Sequence, residues 1–154
     1  MTDKTLKDKA ISIQYLAGLI DGEGYVGIRR CLKKEKGRKD QLEFKPTVVI
    51  ANTNYNLMLM LKKTFYGSIC KKNLGLKILW KQSYSFEFNR TEIKEILPKL
   101  IPYLIIKKEQ AILVMDLFKT YKNHYGVGHA YTKEQISKKE ELHIKSLKLN
   151  KRGI

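Results

Sequence analysis

A carboxylate set between two glycines, Gly22-Glu23-Gly24, closes the run Tyr15-Leu16-Ala17-Gly18-Leu19-Ile20-Asp21. Gly18 and Gly22 are four positions apart, so they share one face of a helix and leave room for a second backbone to come close. Each glycine costs an exposed helix about 1 kcal/mol against alanine, so two within one turn point to packing or function. Glu23 follows at the helix end, where its glycine neighbours let a ligand approach the main chain. If two copies of such a helix cross, Ala17, Gly18 and Gly22 make the contact and two carboxylates arrive side by side. Paired carboxylates hold hard divalent cations such as Mg²⁺, which are completed by water and phosphate oxygens.

The rest of the composition agrees with a phosphate-bearing partner. The chain has 154 residues, enough for a single domain, 1–154, with a core of its own. It is 43% hydrophobic and 10% aromatic, which is globular rather than disordered. Lys and Arg number 31 against 15 Asp and Glu, a formal charge of +16. Such an excess repels itself in a compact fold unless a polyanion is the working partner. Nucleic acid is the first candidate and an anionic membrane surface the second. No run approaches about 18 consecutive apolar residues, so no segment is expected to span a bilayer. The stretch Met1 to Ala10 is polar, with two aspartates, and fits neither a secretory signal nor a transit peptide. Cys31 and Cys70 lie far apart and match no metal-ligand spacing, which implies two free thiols in a reducing compartment.

The elements that must position Glu23 follow from periodicity. The first helix is expected from Ile11 to Gly22, with Ile13, Leu16, Leu19 and Ile20 on its apolar side. Val26, Ile28 and Leu32 then alternate with Tyr25, Arg29, Cys31 and Lys33, the two-residue period of a half-buried strand, with Arg30 interrupting the apolar side. Lys33 to Asp40 is charged and contains Gly37, which suits a hairpin loop. The return strand sets Leu42, Phe44, Val48 and Ile50 against Glu43, Lys45, Thr47 and Val49. Pro46 must sit where no partner needs its missing N–H. Asn52-Thr53-Asn54 caps a second helix with Leu57, Leu61 and Phe65 buried and Gly67 at its end. A second β pair occupies Ser68 to Asn89, with Asn73-Leu74-Gly75 as a turn. Tyr84, Phe86, Phe88 and Trp80 point inward there, and Ser83, Ser85 and Glu87 outward. Thr91 caps a helix to Leu100, stopped by Pro102. Lys107 to Tyr121 makes another, with Ala111, Val114 and Phe118 on its core side. After a loop bearing His124 and His129, the capping box Thr132-Lys133-Glu134-Gln135 opens a basic final helix.

This order, α-β-β-α-β-β-α plus C-terminal helices, is an α+β fold with an antiparallel sheet and helices on one face. The other face gathers Arg29, Lys33, Lys45 and Lys72 with the short polar side chains of Thr47, Ser83 and Ser85, and Arg30 is a further candidate for DNA contact. Solvation alone would explain a polar face, but the net charge favours a saddle that fits the major groove of a duplex. Arg29 is the candidate for bidentate contact with guanine. Lys138, Lys145 and Lys148 of the final helix are candidates for phosphate, which sets affinity rather than sequence. His124 and His129 have no companion ligands, and hydrolysis at a metal site needs no imidazole.

The nine residues Leu16 to Gly24, LAGLIDGEG, resemble the LAGLIDADG signature that names a family of homing endonucleases. They depart from it only at Gly22 and Glu23. The order of elements is that of the family core, and Leu97-Pro98-Lys99-Leu100-Ile101-Pro102-Tyr103-Leu104-Ile105-Ile106-Lys107-Lys108-Glu109-Gln110-Ala111 is similar to the family's proline-to-lysine segment. The resemblance implies a site-specific endonuclease that hydrolyses one phosphodiester bond in each strand of a long, nearly palindromic DNA site. Cutting would fall across the narrow minor groove and leave short 3′ overhangs. One signature implies a homodimer, and symmetry then duplicates Glu23. The resemblance also implies that Glu23 and the carbonyl of Gly22 hold Mg²⁺, with Mn²⁺ as a substitute. By the same resemblance Lys107 stands near the cleavage centre, Asn52 organises water around the nucleophile, and Asn56 matches a second pocket position. Asp21 is not a family metal ligand and is read as a helix-end hydrogen-bonding group. The resemblance further implies an intron-encoded, intracellular protein, placed in archaeal cytoplasm or, if organelle-encoded, in a chloroplast or mitochondrion. Two other readings share the scaffold: a maturase that binds intron RNA, and a DNA-binding regulator without catalysis.

Overall fold

The structure is a computed structural model, and it describes residues 10–34, 36–37, 39–73, 81–121 and 131–151. Its elements in chain order are α1 (Ile13–Glu23), β1 (Gly24–Lys33), β2 (Gln41–Asn52), α2 (Tyr55–Phe65), β3 (Ser68–Lys71), β4 (Tyr84–Glu87), α3 (Arg90–Leu100), α4 (Lys108–Lys119) and α5 (Lys133–Leu149). The four strands form one antiparallel sheet in the order β1-β2-β4-β3. Among the described residues no helix is long and apolar enough to cross a membrane.

The two-residue period sorts β1 and β2 as expected. Val26 lies opposite Val48, Ile28 opposite Pro46 and Arg30 opposite Phe44. Phe86 of β4 continues this row beside Ile50. Val26, Ile28, Phe44, Val48, Ile50 and Phe86 are buried with Leu16 and Ile20 of α1, Met58 and Leu61 of α2, and Ile93, Leu97 and Leu100 of α3. At about 25 cal/mol per Å² of apolar surface, this shared core is the dominant source of stability. Helices α1, α2, α3 and α4 pack on that face, whereas α5 runs against β1, β2 and α4.

The docking of α5 explains how β1, an edge strand, keeps its outer backbone groups satisfied. The Ile28 N–H donates to Ser146 Oγ at 3.0 Å, the Ile28 carbonyl meets His143 Nδ1 at 2.8 Å, and Asn150 Nδ2 donates to the Val26 carbonyl at 2.9 Å. Because Ile28 directs both groups at α5, its partner Pro46 sits at a non-hydrogen-bonded pair, where a missing N–H costs nothing toward β1.

Several boundaries differ from expectation. α1 starts two residues later than Ile11, because Ser12 caps it by accepting from the Tyr15 N–H at 3.1 Å. α2 ends on Tyr66, which takes the left-handed conformation at φ 65° and thereby displaces Gly67 as the terminator. Gly67 serves proximity instead: a Cβ there would lie 2.5 Å from the Phe86 ring. α3 is capped by Asn89, not Thr91, in a reciprocal box with Glu92. The core side of α4 is carried by Ala111, Val114 and Leu117, with Phe118 only half-buried. Thr132 caps α5 through Gln135 as read from the sequence. Trp80, Leu74, Gly75, His124 and His129 lie outside the described residues.

Candidate active site

Glu23 is the last residue of α1, and β1 begins at the next residue without a loop. Gly24 makes that junction possible, since a Cβ there would fall 2.7 Å from the Ile20 Cα and carbonyl oxygen. The Glu23 carboxylate is therefore held at the seam between the signature helix and the sheet. Asn52, at the far end of β2, donates through Nδ2 to Glu23 Oε2. The other end of that amide is fixed as well, because Asn52 Oδ1 accepts from the Asn54 N–H at 2.8 Å. Asn52 thus orients the carboxylate rather than standing apart from it.

A second lock joins α1 to α4. Asp21 accepts from the Ile105 N–H at 2.7 Å and from the Lys107 N–H at 2.9 Å. In return, Lys107 Nζ donates to the carbonyls of Ile20 and Asp21 at 2.7 and 2.6 Å. A cation at a helix C-terminus satisfies orphan carbonyls and opposes the negative end of the helix dipole. Asp21 is thereby the helix-end group expected, and Lys107 is fixed within one residue of the Gly22-Glu23 pair. Asn56 lies in the first turn of α2.

Glu23, Gly22, Lys107, Arg29 and Lys72 line one cleft of about 590 Å³. Among the described residues no group of three or more His, Cys, Asp or Glu side chains converges to hold a metal. One chain supplies one exposed carboxylate and a helix-end carbonyl, both hard oxygen donors of the kind Mg²⁺ takes. The donor chemistry fits, and the donor count fits half of a shared site.

The open face of the sheet carries the row expected of it. In register, Arg29 opposes Lys45, Cys31 opposes Glu43 and Lys33 opposes Gln41. Cys70 opposes Ser85, and the Lys72 N–H donates to the Ser83 carbonyl at 3.0 Å, so the β3–β4 ladder continues outward. Both cysteines are free thiols. Lys45 pairs with Glu43 at 3.3 Å, which offsets part of the positive field.

Thr47, Ser85 and Ala17 are buried against expectation, Arg30 is paired, and Lys138, Lys145 and Lys148 of α5 stay exposed. Arg30 has the opposite strand parity to Arg29, so it points at α5 and pairs with Glu140 at 3.1 Å. Thr47 and Ser85 lie on the open face but are only 8% and 6% exposed, so they do not form its outer surface. Lys145 and Lys148 line an apolar groove between α4 and α5 with Ile112 and Leu149. Lys145 is also paired with Glu141 at 2.7 Å, and Lys138 is exposed one heptad earlier on the same helix. Ala17 is fully buried in the chain's own core, one residue and about 100° round the helix from Gly18, so it belongs to no outer contact. Gly18 and Gly22 do face outward, and a Cβ at either would meet nothing within 4 Å.

Sequence reasoning missed the polar face of α5. His143, Ser146 and Asn150 recur at three- and four-residue spacing, which puts them on one side of the helix, and that spacing was the available signal. It also missed a cation–aromatic stack toward the hairpin end. The Arg90 guanidinium lies 3.6 Å over the Tyr121 ring, and Lys139 Nζ lies 4.8 Å from that ring and 3.2 Å from the Tyr131 ring. The Tyr121 hydroxyl donates to the Phe44 carbonyl at 2.7 Å. Burial pushes the Tyr121 phenol up to about 12, against the pull of Arg90. Burial, and then the charge of Arg90, bring Lys139 down to about 8.

Comparison with known proteins accords with this geometry. The family model for the LAGLIDADG endonuclease matches residues 16–115. The DNA endonuclease I-CvuI of Chlorella vulgaris is 27% identical over 114 residues, covering 73% of this chain and 67% of that protein. A crystal structure of I-CvuI in complex with the I-CreI target matches with a TM-score of 0.71 at 23% identity, over 92% of this chain and 83% of that one. The archaeal intron-encoded homing endonuclease I-Vdi141I, complexed with DNA, gives a TM-score of 0.69 at 16% identity, over 92% and 86%. With the signature helix running directly into a sheet of this topology, and with the family match spanning α1 through most of α4, the chain belongs to the LAGLIDADG endonuclease family.

Proposed function

We propose that this site-specific DNA endonuclease works as a symmetric pair of chains, with the two Glu23 carboxylates sharing divalent cations at the two-fold axis. The observation that carries the reading is the bare stripe on α1. Gly18 and Gly22 have no neighbour within 4 Å of a Cβ position, and they lead along one face of α1 to the exposed Glu23 at its end. Tyr15 is exposed on the same helix, and Ile105 and Ile106, which are 86% and 70% exposed, follow the turn that Asp21 pins beside it. Exposed apolar side chains around close-approach glycines favour a second copy of the chain as the occupant.

Glu23 and the Gly22 carbonyl would hold Mg²⁺, and Mn²⁺ should substitute. When bound, the cation lowers the pKa of the attacking water and stabilises charge on the phosphate and the leaving oxygen. Asn52 holds the carboxylate in one orientation, and Lys107 keeps a positive charge beside the cleft, where it favours the more highly charged transition state. Each open sheet face reads one half-site through Arg29, Lys45, Lys33 and Lys72. Two half-sites about one helical turn apart imply a footprint on the order of 20 base pairs. Hydrolysis across the narrow minor groove would leave short 3′ overhangs.

The match to the endonuclease family model and to the DNA endonuclease I-CvuI supports cleavage over the intron-RNA and regulator readings. The test is Glu23→Gln, assayed on a duplex recovered by wild-type cleavage from a randomised library. Mg²⁺-dependent cutting should vanish while duplex binding stays within about threefold, since binding rests mainly on the basic face. A Glu23→Gln chain that cuts normally would overturn the metal assignment.

A further inference from the structure

The cleft that holds Glu23 and Lys107 is closed on one side by the end of α5: Leu149, Asn150 and Lys151 line it. That placement is built. Asn150, the C-cap of α5, donates through Nδ2 to the Val26 carbonyl of β1 and to the Ser146 carbonyl of its own last turn, both at 2.9 Å. From the other side, Gln110 of α4 is buried and donates to the Leu149 carbonyl at 3.2 Å. The final turn is thus tied to the strand that leaves Glu23 and to the helix that Lys107 starts. Gly27 sits close to this contact: a Cβ there would lie 2.6 Å from the Tyr25 hydroxyl and 2.9 Å from Ser146 Oγ.

A helix C-terminus aimed at a phosphate cleft is electrostatically wrong, because its last carbonyls carry partial negative charge. The two amides satisfy the Ser146 and Leu149 carbonyls, and the next residue, Lys151, is exposed and cationic. Resting on the endonuclease reading, we propose that Lys151 is a substrate-contacting cation of the cleavage cleft, binding a DNA phosphate next to the scissile bond. We propose too that Asn150 is the positioning residue that holds it there. The strut of α5 on the edge of β1 then has a catalytic consequence: it delivers a charge from the end of α5 to the reaction centre.

The test uses the full chain and a duplex recovered by wild-type cleavage from a randomised library. Loss of a charge-assisted phosphate contact should slow single-turnover cleavage by Lys151→Gln roughly 10-fold to 100-fold. It should also lower the salt slope of binding by about one per chain. Lys151→Arg should retain most of the activity. Asn150→Ala should slow cleavage comparably, and Asn150→Ala/Lys151→Gln should be no slower than the worse single variant, because both changes remove one interaction. Melting temperatures separate this from unfolding: Lys151→Gln should melt like the wild type. A Lys151→Gln chain with wild-type rate and salt slope would overturn the contact, and additive effects in the double variant would overturn the positioning role. A wild-type chain that cuts nothing in the library would instead remove the endonuclease reading, and this proposal with it.

Discussion

Gly18→Ala separates a packed helix face from a solvated one by the sign of its effect. Within one chain the added methyl meets nothing within 4 Å. It should therefore stabilise α1 by about 1 kcal/mol, the ordinary gain of alanine over glycine in a helix. For a domain of this size that corresponds to a rise of roughly 2–4 °C in melting temperature. If a partner's α1 backbone rests on this stripe, the methyl enters a filled space twice, once from each chain. Overpacking costs about 1–3 kcal/mol per site, so the pair loses at least about 2 kcal/mol and dimer affinity falls roughly thirtyfold. Sedimentation velocity across a concentration series reads the second effect, and thermal melting of the dilute chain reads the first. The expected outcome is a more stable monomer, a weaker dimer and slower cleavage at low protein concentration. A variant that melts higher and keeps its dimer fraction and cleavage rate would refute the reasoning, because Gly18 would then face only water.

Asp21→Ala leaves the Ile105 and Lys107 N–H groups without their carboxylate, so it should cost about 2 kcal/mol and lower the melting temperature by roughly 4–8 °C. Cleavage should slow as well, because Lys107 loses its fixed position, and an unchanged melting curve would contradict the lock. Lys139, down to about 8 in the fold against an ordinary 10.5, holds fewer protons folded than unfolded between those values, so stability should rise with pH from about 8. Tyr121, up to about 12 from 10.0, keeps its proton when folded and loses it when unfolded, so stability should fall again above about 10. Urea melts should show that maximum, and Lys139→Met should flatten its rising limb; a rising limb that survives in Lys139→Met would refute the assignment. Arg29→Ala should weaken discrimination at one base position per half-site by about 1–3 kcal/mol, read by cleavage of a single-substitution library. A uniform loss across all positions would make Arg29 a phosphate contact instead.

The parts of the fold that depend on local pattern were legible in the sequence. The alternation in Val26, Ile28, Phe44 and Ile50 set the strand faces, and the same parity that puts Arg29 on the open side sends Arg30 to Glu140. Helix ends were less legible, because the competition is between neighbours of similar chemistry. Asn89 outcompetes Thr91 by having Glu92 three positions on, and Tyr66 takes the left-handed turn because Gly67 is needed for its lack of a side chain against Phe86. Ala17 and Gly18 are both small, and only the 100° step between them decides which faces the core. The docking of α5 on β1 is a contact between residues more than 100 positions apart, so the spacing of His143, Ser146 and Asn150 marks a polar helix face without naming the strand it meets. The site shows the same division. Glu23 and Lys107 stand out through the signature and the family segment, whereas the bonds that fix them, from Asn52, Asp21 and the Ile20 carbonyl, emerge only once the chain is folded.

The pairing of two Glu23 carboxylates is tested most directly by crystals of the protein on its cleaved or uncleaved duplex, grown with Mn²⁺ and measured for anomalous scattering. The expected map has Mn²⁺ peaks about 2.1 Å from Glu23 oxygens, a spacing typical of small hard cations, with the Glu23 residues of both chains gathered at the two-fold axis. Mn²⁺ bound elsewhere, or two Glu23 side chains at opposite ends of the assembly, would contradict the account.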